Sequence, residues 1–195
     1  MVDLRNRYFS ENTTKAPSAR GQLPAVMETQ CKDRSALLCG RPLQREAVVP
    51  ASLLDERLAK FCYNLDHLAP TPADVECFYL LRASMTKLFA SEAERCNALT
   101  TVLSKGILPA TAVLQHGVVS KYSTDGDIRV DTAAGSFIYF LQEVKNEVGQ
   151  GGAIPQFEAM HYWIEHIRLI LESNKLSQSA LVSMNFPVIL LQCFG

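Results

Sequence analysis

The chain has 195 residues, of which 48% are hydrophobic and 20% charged, and its formal net charge is −1. That is ordinary globular usage, enough for one domain with a sizeable core. It excludes a broadly basic nucleic-acid binder, so any contact with DNA or RNA has to rest on a local patch or a bound cation.

The six cysteines, at 31, 39, 62, 77, 96 and 193, are scattered and form no C-x-x-C pair. They read as buried free thiols in a reducing compartment. The opening MVDLRNRYFSENTTK lacks the apolar core of a secretory signal. No apolar run approaches the ~18 residues that span a membrane. The expectation is an intracellular protein, nuclear or cytoplasmic, with no membrane partner.

Residues 1 to 50 are rich in Ser, Thr, Arg, Pro and Gln and show little periodicity. They read as a mostly disordered or loosely docked arm, and Arg5, Arg7, Lys15 and Arg20 as its solvated charges. From Pro50, Leu53, Leu54, Leu58, Phe61, Cys62 and Leu65 recur at helical spacing. Pro70 ends that segment. Thr71-Pro72-Ala73-Asp74 caps a second helix running to about Leu88. Ser91 to Glu94 is a capping box that opens a third, to about Ser104, and Gly106 stops it. Residues 51 to 105 thus form a helical region, and 106 to 195 an α/β core.

After Pro109 the period changes to two. Residues 112–120 predict a strand weakened by Gly117, residues 127–130 a short strand, and DTAAG at 131–135 a turn. The long run 136–146 predicts a central strand, since both of its faces are largely apolar. Gly149, Gly151 and Gly152 break the chain with no G-K-[ST] after them, so they read as a connection and not a phosphate loop. Pro155 starts an amphipathic helix to about Ser173. Phe157, Met160, Trp163, Ile164, Ile167, Ile170 and Leu171 form its apolar stripe, and Glu158, His161, Glu165, Arg168 and Glu172 its solvent face. The spacing of His161, Glu165 and His166 matches no zincin helix. PVILLQCF at 187–194 predicts a last buried strand. The fold class is α/β, a mixed sheet of about four strands flanked by helices, with a helical region before it. Because the chain stops immediately after an apolar strand, it reads as truncated at its C-terminus.

The chemistry sits at one end of the central strand, in Glu143-Val144-Lys145. Sixteen positions earlier stands Asp127. A simple hairpin register pairs Asp127 with residue 139, so a bulge or offset is needed to bring it to Glu143. Two converging carboxylates repel unless a hard cation joins them. Mg²⁺ or Mn²⁺ suits oxygen ligands, and the Val144 carbonyl adds another. Lys145 would then orient water or stabilise charge developing on a phosphoryl group.

This D…E-x-K pattern resembles the PD-(D/E)XK (restriction-endonuclease-like) nuclease superfamily over roughly residues 90 to 195. The resemblance implies metal-dependent phosphodiester hydrolysis on DNA or RNA, with Asp127, Glu143 and Lys145 catalytic and Gly126 in place of the name-giving proline. It also implies an acid on the first core helix, Glu92 or Glu94, and a Gln on the helix after the strand, met by Gln156. EVKNEVGQGG followed by a helix and FPVILLQCFG is similar, more narrowly, to a domain preceding kinase-like domains in large fungal Crinkler-like families. The alternative is therefore a non-catalytic regulatory or partner-binding module of the same fold, once beside such a kinase-like domain. Each residue also has a plainer role. Asp127 would be a turn former in STDGD, Glu94 a capping residue, and Glu143 and Lys145 strand-end charges. The oligomeric state is not encoded in any motif.

Overall fold

The computed structural model describes residues 15–31, 37, 51–133, 135–146, 152–173, 176 and 188–194. Two short helices come first, α1 (Pro17–Arg20) and α2 (Leu23–Cys31). Then follow α3 (Ala51–Leu54), α4 (Glu56–His67), α5 (Pro72–Met85) and α6 (Glu92–Val102), the last continued by one π turn at Leu103–Ile107. Asp55 splits the first predicted helix by capping the second piece, its carboxylate accepting the Arg57 N–H at 2.8 Å. Thr71 and Asp74 form a reciprocal capping box. At α6 the Ser91 hydroxyl accepts the Glu94 N–H at 3.2 Å, and the Glu94 carboxylate accepts that of Ala90 at 3.1 Å. Gly106 does not stop this helix. The chain passes through it in the π turn, where the Cys77 thiol donates to the Gly106 carbonyl at 2.9 Å.

The β region holds a two-stranded hairpin and a mixed three-stranded sheet in place of one sheet of about four strands. The hairpin joins β1 (Val118–Val119) and β2 (Tyr122–Ser123). The sheet has the order β3-β4-β5, from β3 (Gly126–Thr132), β4 (Gly135–Lys145) and β5 (Ile189–Phe194). β4 runs antiparallel to β3 and parallel to β5. Its run of aromatic and aliphatic residues suits a strand covered on both faces. Phe140 and Val144 pack against Cys96, Leu99 and Leu103 of the α6 side. Ile138 and Leu141 pack against Ala159 and Tyr162 of α7 (Pro155–Glu172). Leu141 and Val144 are wholly inaccessible to solvent.

Strict alternation along β4 fails at one place. Ile128 pairs with Phe140 but Arg129 pairs with Ile138, so Tyr139 is an extra residue. This bulge re-phases the strand and lets Ile138 and Leu141 share the α7 face.

The described part of the N-terminal arm is helical and docked. α1 lies on α7, Gln22 bridges Ala153, and Pro17 and Val26 are buried. This overturns the solvent face assigned to α7, because Glu158, His161 and Glu165 are all buried. The described cysteines are free thiols, but only Cys96 is buried; Cys31 and Cys62 are exposed. Cys39 and residues 149–151 lie outside the described residues. Among the described residues no helix is long and apolar enough to cross a membrane.

Candidate active site at the end of the central strand

Asp127 does not meet Glu143. The bulge shifts the register so that Asp127 sits opposite Leu141. Its carboxylate is wholly buried and accepts from the Arg129 Nε–H at 2.7 Å, the Arg129 Nη2–H at 2.9 Å and the Thr124 hydroxyl at 2.9 Å. Gly117 seals this pair, since a Cβ there would lie 1.8 Å from Asp127 Oδ2. A carboxylate so enclosed is structural.

Asp125 stands where Asp127 was expected. Carrying the register two residues further puts it opposite Glu143. Its Oδ2 accepts the main-chain N–H of Val144 at 2.7 Å. The Tyr162 hydroxyl steadies this loop from α7 by donating to the Ser123 carbonyl at 2.6 Å. Burial raises the Asp125 pKa against the opposing pull of the Val144 N–H and Lys145.

Glu143 is only 2% exposed, and Lys145 donates to its Oε1 at 2.7 Å. Its other oxygen is buried without a hydrogen-bond partner among the described residues. Burial, then the charges of Glu158 and Asp125, push its pKa up to about 9. Lys145 also lies 3.2 Å from Glu158 Oε2 and 3.5 Å from Glu92 Oε1. The Glu158 contact is an ion pair without hydrogen-bond geometry. Burial alone would lower the Lys145 pKa, but Glu143, Glu158 and Glu92 outweigh it and raise it. One ammonium group thus serves three carboxylates.

Of the sequence-derived site residues, the structure brings Glu143, Lys145 and Glu92 together. Gln156 is half-buried on the first turn of α7, while Glu158, two residues on, points at Lys145. Val144 turns its side chain into the α6-side core. Glu94 serves the α6 cap. Sequence reasoning missed Asp125, Glu158, Tyr162 and Asn146. Asn146 accepts from the buried Arg95 at 3.3 Å and donates to the Phe89 carbonyl at 3.0 Å, which fixes the chain just past Lys145.

Among the described residues, no three or more His, Cys, Asp or Glu side chains are grouped closely enough to hold a metal ion. A Mg²⁺ site needs only one or two carboxylates, completed by water and substrate phosphate. Asp125 and Glu143 would be the two carboxylates, and the unpartnered, buried oxygen of Glu143 is a hard donor that would be freed once an ion displaced its proton. No family model, no curated protein and no solved structure matches the chain.

Proposed function

We propose that this chain is a metal-dependent phosphodiesterase acting on nucleic acid, of the PD-(D/E)XK kind, with Asp125 in the role first expected of Asp127. The observation that carries the reading is the meeting of Asp125, Glu143 and Lys145 at one end of β4. Asp125 and Glu143, with the Val144 carbonyl, would hold Mg²⁺ or Mn²⁺. The bound ion supplies Lewis-acid polarisation of the phosphoryl oxygens. Lys145 orients a water molecule or meets the developing charge. With four acids around one ammonium, the site would repel a phosphate backbone until a cation arrives. The test is cleavage of DNA and RNA with Mg²⁺ or Mn²⁺. Asp125→Asn and Lys145→Ala should abolish it with the fold intact. Full activity in either variant sinks the mechanism.

One observation favours a second reading. Lys145 already bridges Glu143 and Glu158, and no group of three metal-ligating side chains forms among the described residues. A non-catalytic regulatory or partner-binding module, of the kind that accompanies a kinase-like domain, would keep such an ion pair for stability alone. Calorimetry with Mn²⁺ separates the two, because the module need not bind the ion.

A further inference from the structure

We infer that residues 20–22 of the N-terminal segment are a strap that positions Glu158, so that this segment is an integral part of the site. The inference rests on the reading above only for the chemistry of Lys145, which Glu158 contacts; the mechanical claim stands on contacts alone. The strap meets α7 at three successive places. The Ile154 N–H donates to the Gly21 carbonyl at 2.7 Å, and Gln22 forms an antiparallel bridge with Ala153. Gly21 lies directly on Glu158: a Cβ at residue 21 would sit 3.1 Å from Glu158 Cβ, 3.2 Å from its N and 3.3 Å from its Cα. One turn on, the charge of Arg20 reaches the buried His161.

The need for a strap follows from the start of α7. Its N-cap is Ile154, which has no side chain able to cap, and no side-chain cap bond forms. Such an end frays unless it is held from outside. Gly21 supplies the hold through its carbonyl, and its lack of a side chain permits the approach. Its φ of −73° is ordinary, so glycine is favoured here by space alone. Held this way, the first turn aims Glu158 at Lys145, 3.2 Å away. Gly21 is thus a positioning residue that acts through Glu158.

The test uses the full chain carrying Gly21→Ala, Gly21→Val and Glu158→Gln, with each Gly21 variant also combined with Glu158→Gln. Hydrogen exchange reads the strap directly. In Gly21→Val the amides of Ile154, Phe157 and Glu158 should lose protection while those of Ile164 to Ile170 keep theirs. Unchanged exchange at Ile154, Phe157 and Glu158 overturns the inference whatever the activity. Cleavage with Mn²⁺ reads the coupling. Gly21→Val should lower kcat about 10- to 100-fold, the scale of an ångström's misplacement, with KM little changed. It should cost nothing more in the Glu158→Gln background. Fully additive losses overturn the route through Glu158. Gly21→Ala asks Glu158 to shift by only a few tenths of an ångström. It keeps both readouts should valine prevent folding. Loss of protection in Gly21→Val together with no cleavage by the unsubstituted protein overturns the nuclease reading and leaves the strap standing.

Discussion

The main-chain N–H of Val144 donates to the Asp125 carboxylate at 2.7 Å, joining two positions 19 residues apart. This bond ties the loop before β3 to the far end of β4. It sets Asp125 beside Glu143 and gives the two aspartates of the STDGD segment different tasks. Asp125 is half-buried at the sheet edge; Asp127 is sealed against Arg129.

The two aspartates should therefore separate in mutagenesis. Asp127→Asn weakens a buried ion pair whose arginine is 26% exposed, so a loss of about 1–3 kcal/mol is expected, below that of a fully buried pair. Urea denaturation reads it. Asp125→Asn removes a carboxylate that burial disfavours, so stability should hold while cleavage falls to background. If Asp127→Asn leaves stability unchanged, or Asp125→Asn spares cleavage, the assignment of roles is wrong.

Glu143 should make the protein less stable as pH rises. Its folded pKa is pushed from 4.5 to about 9, so between these values the folded state holds a proton that the unfolded chain has released. Stability falls across that window, most steeply per unit where the unfolded chain is fully ionised. Glu143→Gln has no such proton. Near pH 4.5 the two proteins should be about equally stable, and the variant should gain steadily to about pH 9, on the order of a few kcal/mol. Denaturant midpoints over that range check it. A constant gap would mean that Glu143 is ionised throughout in the folded protein.

The helices and the long strand are legible in the sequence because their signals are local. Thr71 with Asp74 and Ser91 with Glu94 are capping pairs within one turn. Phe137 to Leu141 is aromatic and aliphatic at both parities, which marks a covered strand. The site was half legible. Glu143 and Lys145 follow from the strand's end, but the choice between Asp125 and Asp127 depends on register. Two residues apart, they share a face, so periodicity cannot separate them. The β3–β4 register decides between them: it is offset by one residue at the turn and by one more at the Tyr139 bulge, and no local signal announces either. Glu158, His161 and Glu165 misled for the opposite reason. They are polar residues on a polar stripe, and their burial is a long-range effect: Gly21 lies on Glu158, and the charge of Arg20 reaches His161.

Burial makes two histidines acid-sensitive. Burial holds His161 down at about 3 and His166 at about 4. The unfolded chain takes up both protons below about pH 6.5, so stability is full above that value and falls as pH drops toward 4. His166 has a definite neutral role, since its Nε2 accepts the Ile138 N–H of β4 at 3.0 Å. Protonation destroys that acceptor. In His166→Gln the amide oxygen replaces Nε2 without titrating. The acid limb should then lose up to about 1.4 kcal/mol per pH unit of its slope. An unchanged limb in a folded variant would place the acid sensitivity elsewhere.

Tyr162 links the two halves of the site, and its removal tests whether Asp125 must be held. Its hydroxyl donates to the Ser123 carbonyl at 2.6 Å, and its ring packs against Leu141 and Val119 beneath the loop. Burial, then Glu143 and Glu158, raise its pKa, so it stays a donor at any working pH. Tyr162→Phe keeps the ring and deletes the bond, which costs about 1 kcal/mol. If the hydroxyl serves only stability, cleavage should be untouched below the melting range. If it anchors the loop that carries Asp125, kcat should fall several-fold at temperatures where the variant is fully folded. Joint measurement of melting temperature and kcat distinguishes the two. The anchoring role requires that kcat fall by more than the loss of folded protein explains.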